Sequence, residues 1–267
     1  MALGTSAPPR PTTSQRLRWS VTDSLLMAQR NLRRSSRRFD YIVFLTIQPV
    51  MFILLFNYVF GGAIATDAPS YADFLIPGIL VQTVLFTAMN TGTGLAEDLN
   101  QGMIDRYRSL PMSRIAVVAG RIIADLITII LAVAIMIAVG TLIGFRFHGT
   151  LIQSLGVPAL TVVAAIPFLW VSATLGVWIR NVETMQSAGF LWLFPLTFIS
   201  SAFVPVESMH PWVRGFAGQN PVTIAVNSVR GLALGIPDAT DIWMTLAWSL
   251  TITVVAATLA VNRYRKV

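Results

Sequence analysis

Few side chains in these 267 residues can do covalent chemistry. There is no cysteine, which removes thiolate nucleophiles, disulfides and Cys-ligated metals. His148 and His210 lie far apart, and neither has an acidic neighbour at the spacing a metal site needs. No Ser/His/Asp set and no carboxylate pair is arranged for catalysis. Glu207 sits in V-P-V-E-S-M-H-P-W, a run that implies a turn. Lysine occurs once, at Lys266. A phosphate-binding loop needs its lysine directly before a Ser/Thr at a helix start, so this chain hydrolyses no nucleotide by that route. We therefore expect no catalytic residue, no metal and no cofactor of its own, and no enzyme. One acidic residue, Asp125, stands inside an apolar run, with Arg121 four positions earlier on the same helical face. An Arg121–Asp125 ion pair is the default reading, and a proton relay is the alternative.

The elements that would hold these residues are membrane helices. The chain is 55% hydrophobic, only 12% charged, and has a mean hydropathy of +0.69. Soluble domains are nearer a quarter charged. A spanning helix needs about 20 mostly apolar residues. Six stretches meet this: 42–60, 74–96, 122–144, 154–178, 184–206 and 242–262. The fold class expected is an all-α membrane protein with six transmembrane helices, in one transmembrane domain over 41–267. Residues 1–14, rich in Pro, Ser and Thr, read as a disordered N-terminus. Residues 15–40 read as a basic amphipathic helix on an anionic leaflet. Leu17, Val21, Leu25, Ala28 and Leu32 share its apolar face, with arginines around and after it.

Arg and Lys placement sets the orientation. With both termini cytoplasmic, only Arg146, Arg214 and Arg230 of the nineteen basic residues fall outside. That asymmetry accounts for the net charge of +7 without nucleic acid. No internal repeat is evident, so an inverted-repeat carrier gets no support.

Three groups of residues carry mechanism. Residues 97–114 are polar between two apolar runs, with a helix expected from Leu99 to Ser109 that Pro111 ends. Met103, Ile104 and Tyr107 make its apolar face, while Asp105, Arg106 and Arg108 stay wet. Such a cytoplasmic lever can transmit a partner's push; an ordinary solvated loop is the alternative. The second group is the outer connection, 207–241. Asn220 and Pro221 start a helix and Gly235 ends it. Val222 to Leu234 is too short to cross, so it dips into the outer leaflet and returns, or lies as an interfacial hairpin. The third group is a set of stripes. Thr83, Thr87, Asn90, Gly94 and Glu97 share one face of the second span. Phe44, Gln48, Phe52, Phe56 and Phe60 recur along the first, and Phe190, Phe194 and Phe198 along the fifth. Polar stripes in lipid turn inward, toward helices or a pathway.

The stretches G-M-I-D-R-Y-R-S-L-P-M-S-R (102–114), F-V-P-V-E-S-M-H-P-W (203–212) and N-P-V-T-I-A-V-N-S-V-R-G-L-A-L-G (220–235) resemble the membrane subunit of ABC type 2 exporters, most closely the daunorubicin-resistance permease group. The resemblance covers nearly the whole chain from about residue 20. It implies two separate ATP-binding subunits, carrying ATP and Mg, and a second permease copy or a related permease. Residues 97–114, with Gly102, Asp105, Arg106, Tyr107, Arg108 and Pro111, would be the coupling helix that docks on the ATPase. The 17–38 helix would be the connecting helix. The outer segment, with Glu207, Asn220, Pro221, Arg230 and Gly235, would form re-entrant helices at the exit. Substrate, a hydrophobic drug or lipid, would pass near Gln48, Phe52, Phe56, Thr83, Thr87, Asn90, Phe190, Phe194 and Phe198. The expected place is the plasma membrane of a bacterium. The competing readings are a proton-coupled carrier using Asp125 and a non-transporting membrane scaffold.

Overall fold

The computed structural model describes residues 13–36, 39–64, 66, 68–102 and 114–266. The described residues form helices and turns, with no strand among them. In chain order these are α1 (Thr13–Ser36), α2 (Phe39–Leu54), α3 (Tyr71–Asn100), α4 (Arg114–Ile143), α5 (Leu151–Ile179), α6 (Val182–Phe198), α7 (Pro211–Gln219), α8 (Pro221–Leu234) and α9 (Ala239–Lys266). A π-turn, Leu55–Phe60, continues α2.

Four of these helices are long and apolar enough to cross a membrane: Tyr71–Asn100, Ala116–Ile143, Leu151–Ile179 and Ala239–Tyr264. The other two expected spans are interrupted. In the first, Pro49 removes a backbone donor from α2, and the register widens to a π-turn over the last six residues. In the fifth, α6 stops at Phe198, three residues after Pro195, and the chain turns irregularly through Ser200–Val204.

The middle of the molecule is α3. Its most apolar window is 94% buried inside the protein, against 22% for that of α9. A helix so enclosed needs small residues where others cross it. Gly92 of α3 and Gly176 of α5 meet backbone to backbone, and a methyl on either would overlap the other helix. Gly78 is packed in the same way against the backbone of Ala202. The core around α3 includes Leu75, Ile79, Leu80, Leu85, Ile129, Met136, Leu169 and Val226.

The α3 helix also reaches further than expected. Glu97–Asn100, placed at sequence level in the coupling segment, form its last turn. Gln101 N–H donates to Glu97 O at 3.0 Å, and Gly102, at φ +66°, takes a backbone conformation that favours glycine. Asp105, Arg106, Tyr107, Arg108 and Pro111 lie outside the described residues.

Candidate functional site

A cavity of about 170 Å³ opens where α2, α3 and α6 meet. Its wall collects Gln48 and Phe52 from α2, Thr83, Thr87 and Asn90 from α3, and Phe190 from α6. The α3 face that lines it is wider than a single stripe. Gln82, Phe86 and Met89 stand beside Thr83, Thr87 and Asn90 along the same wall. Gln82 is only 4% exposed. A one-residue stripe does not contain it, because here an i, i+1 pair repeats every turn.

The two threonines offer less polarity than their names imply. Thr83 Oγ1 donates to Ile79 O at 2.7 Å, and Thr87 Oγ1 to Thr83 O at 2.8 Å. Their protons are used along the helix, so they present lone pairs and methyl groups. The amides of Gln48 and Gln82 supply stronger polar handles, with Asn90 on the same wall, beside the rings of Phe52, Phe86 and Phe190. Phe86 and Phe190 lie 6.0 Å apart. Among the described residues no charged side chain lines this space, so it suits an apolar molecule with hydrogen-bonding edges.

Phe56, Phe194 and Phe198 belong to a second group, an aromatic stack next to the cavity. Phe203 is at its centre, 4.5 Å from Phe56, 5.1 Å from Phe198 and 6.0 Å from Phe52. Phe194 stacks on Phe198 at 4.2 Å, and Phe60 lies tilted against Phe56 at 5.3 Å. Phe203 was visible only as part of the F-V-P-V-E run. Its role comes from the irregular turn after α6, which no periodicity marks.

That turn is held from three sides. Asn220 accepts from Val222 N–H at 2.9 Å through its side-chain oxygen, starting α8. Its amide donates to Leu196 O and Ile199 O, each at 2.7 Å, closing α6. One residue thus caps two helices, with Pro221 at the first position of α8. Arg230 is buried. Its guanidinium donates to Phe74 O at 2.9 Å, Ser201 O at 2.7 Å and Asn227 Oδ1 at 3.3 Å, and it sits 3.7 Å over the Phe74 ring. The third tie is Tyr71 Oη, which donates to Phe203 O at 3.1 Å. Gly235, at φ +78°, ends α8 against the backbone of His148 and Gly149. Glu207 lies in a short 3-10 turn, where its carbonyl accepts from Arg214.

His148 does have an acidic neighbour, but not one near in sequence. Asp73, in the first turn of α3, accepts from Arg146 N–H at 2.9 Å and from Ser70 Oγ at 2.7 Å, and lies 3.2 Å from His148 Nε2. The carboxylate fastens the α4–α5 connection to α3.

At the other end of α3, Arg121 Nε donates to Asp125 Oδ2 at 3.0 Å and Arg121 Nη2 to Asn90 O at 3.1 Å. Thr91 Oγ1 donates to the same Asp125 oxygen at 2.6 Å. Gly94 leaves room for the guanidinium, because a side chain there would overlap it. The pair therefore ties α4 to α3 beside the cavity. Asp125 also lies deeper than expected, since α4 starts at Arg114 and not at 122.

The α1 helix presents two faces. Ser24, Met27, Ala28 and Asn31 are buried, with Ser24 and Met27 against Gly120 of α4. Val21 and Leu25, expected on one apolar face with Ala28 and Leu32, are exposed together with Trp19 and Leu26. Leu32 is half-buried, and the side chain of Leu17 lies outside the described residues. The expected apolar face is thus split: Val21 and Leu25 point outward and Ala28 points into the protein, beside Ser24, Met27 and Asn31. Arg30 reaches the last turn of α3, 3.8 Å from Asp98.

Residues 23–234 match the family described as ABC-2 type transporter. The chain belongs to that family. Among its relatives is a daunorubicin resistance ABC transporter permease protein, DrrB1, of Streptomyces coeruleorubidus. It is 32% identical over 224 residues, covering 84% of this chain and 79% of the relative. A probable doxorubicin resistance ABC transporter permease protein, DrrC, of Mycobacterium tuberculosis is 25% identical over 264 residues, covering 97% and 95%. A putative transport permease, ycf38, of Porphyra purpurea is 29% identical over 192 residues, covering 69% and 64%. The protein is thus a membrane permease subunit of an ABC exporter, and ATP hydrolysis resides in separate subunits.

Proposed function

We propose that this permease moves an apolar, drug-like or lipid molecule outward across a bacterial plasma membrane, through the cavity between α2, α3 and α6. Two ATP-binding subunits, carrying ATP and Mg, drive it from the cytoplasmic side at residues 97–114. The observation that carries this reading is the cavity itself: amides and phenyl rings on one wall, with no charge among the described residues. Ligand sites for drug-sized molecules measure about 300–1,000 Å³, and 170 Å³ is about half the lower bound. A second permease copy, or a related permease, would complete it. The exposed apolar side chains of α2 and α6 around the opening, Ile47, Met51, Leu54, Phe190, Leu191 and Phe194, form the surface such a copy would cover.

In this reading the chain crosses six times, with α2 and its π-turn as the first crossing and α6 as the fifth, and both termini cytoplasmic. The α8 helix has 14 residues, about 21 Å at 1.5 Å each, short of the ~30 Å hydrocarbon core. It re-enters from the outer side with α7. Its backbone ends are satisfied by Asn220 and Gly235, as buried depth in a membrane requires.

The test is substrate preference. Asn90→Leu and Gln82→Leu, co-expressed with the ATPase partner, should change the ranking of a panel of apolar drugs and fluorescent lipids exported from inverted vesicles. Unchanged rates across the panel would reduce the cavity to packing.

A further inference from the structure

Away from that cavity, a second hollow of about 260 Å³ lies between α5 and α9. Its wall is almost wholly aliphatic, with Val171 and Leu175 on α5 and Ile252, Val255 and Leu259 on α9. The hydroxyl near its middle is occupied: Thr174 Oγ1 lies 2.8 Å from Trp170 O and 3.0 Å from Ala256 O, and its one proton is shared between them. Apart from the hydroxyl of Thr251, which also lines it, the groove offers nothing to hydrogen-bond, and it lies on two helices long and apolar enough to span a membrane. Its neighbour in that setting is hydrocarbon.

The end of the groove is different. The Thr174–Ala256 bond fixes the level of one helix against the other, and both run in the same direction. Trp178 is one turn beyond Thr174 on the groove face and is 55% exposed. Arg180 caps the C-terminus of α5, about 9 Å beyond that bond, and Arg263 lies about 10 Å beyond it at 1.5 Å per residue. Arg263 also continues the Val255–Leu259 stripe by one more turn. Both arginines are exposed, and neither enters an ion pair among the described residues. Glu183, the nearest acid in sequence, pairs with neither. Two unpaired cations and an indole at the head of an aliphatic groove are the parts of a phospholipid site. Trp favours the headgroup level, and basic pockets between membrane helices hold anionic headgroups.

We propose that the α5–α9 groove binds one anionic phospholipid, an acyl chain along Val171, Leu175, Ile252, Val255 and Leu259 and its phosphate at Arg180 and Arg263. This is independent of the transported substrate and of its pathway. The experiment is native mass spectrometry of the full chain, titrated with dioleoylphosphatidylglycerol or dioleoylphosphatidylcholine, which share their chains and differ in net charge. The wild type should retain the phosphatidylglycerol at least tenfold better. Arg180→Gln or Arg263→Gln should cost about fivefold and the pair about thirtyfold, leaving both lipids alike. Val255→Trp, which fills the groove, should weaken both lipids. Soluble glycerol phosphate at millimolar concentration should displace neither. Equal retention of the two lipids by the wild type, or undiminished phosphatidylglycerol on the double arginine variant, would overturn the site. So would displacement by glycerol phosphate, which would make the groove irrelevant. A lipid-independent dimer abolished by Val255→Trp would replace the lipid with a second copy of the chain.

Discussion

Two arginines sit inside this protein and are held by different chemistry. Among the described residues Arg230 has no carboxylate within hydrogen-bonding distance; two backbone carbonyls, an amide oxygen and a phenyl face receive it. Arg121 has Asp125, and the carboxylate is shared with Thr91. Breaking a buried pair from one side leaves a charge alone and costs about 3–5 kcal/mol, whereas replacing both partners is often close to neutral. Asp125→Asn should therefore lower thermal stability in mild detergent more than Arg121→Met with Asp125→Leu together, read by size exclusion after a heating series. A double variant worse than the single would mean that Arg121 matters more for Asn90 O than for Asp125. The Arg121–Asp125 spacing was legible in the sequence because it is local, one helical turn. Arg230 was legible only as a position in a motif, since its partners are main-chain oxygens on other elements. The Asp73–His148 contact spans 75 positions, and no spacing rule reaches that far.

At the scale of elements, what hydropathy reveals is the surface that meets lipid. Val21 and Leu25 on the exposed side of α1 were found this way, although Ala28 of the same expected face is buried, and so were the four long helices. What it conceals is contact between helices, because in a membrane the residues that let helices approach are small and carry little hydropathy signal. Gly120 against Ser24 and Met27, and Gly92 against Gly176, are such places. The interruptions of α2 and α6 were concealed for another reason. Both stretches are apolar enough to cross, and the π-turn and the irregular chain after Phe198 answer to Pro49, Pro195 and the bonds from Asn220, not to composition. Gly120→Leu tests the first point. Its side chain would need the space now held by Met27, so α1 should lift from α4. Trypsin should then cut within the Arg30–Arg38 stretch at least tenfold faster than in the wild type, while α3 to α9 stay protected. An unchanged cleavage rate would mean that the lipid face and the Arg30–Asp98 contact suffice to hold α1.

For the whole molecule, the proposed mechanism places both of its ends on one helix. The α3 helix lines the cavity with Gln82 to Asn90, and its last turn holds Asp98 to α1 and then turns at Gly102 into residues 103–113. Arg121, two turns into α4, grips α3 at Asn90 O. A push on the segment between α3 and α4 would therefore move both helices together and carry the cavity wall with them. Absence of native cysteine makes the partner surface easy to probe. Met51→Cys and Phe194→Cys, both exposed beside the cavity, should cross-link between copies in membranes under mild oxidant, while Leu151→Cys, exposed elsewhere, should not. Monomeric bands from both cavity-side variants would remove the second copy from the proposed pathway, leaving a related permease to be sought by co-purification. The push itself is tested at Asp105 and Arg106, charges expected to face the ATPase. Asp105→Arg or Arg106→Glu should leave membrane insertion and the Arg121–Asp125 pair of α4 intact, because neither residue belongs to an expected span. ATP hydrolysis by the complex should persist while substrate export falls at least tenfold. Export at the wild-type rate would mean that force enters elsewhere, and Arg30–Asp98 would then be the contact to break next.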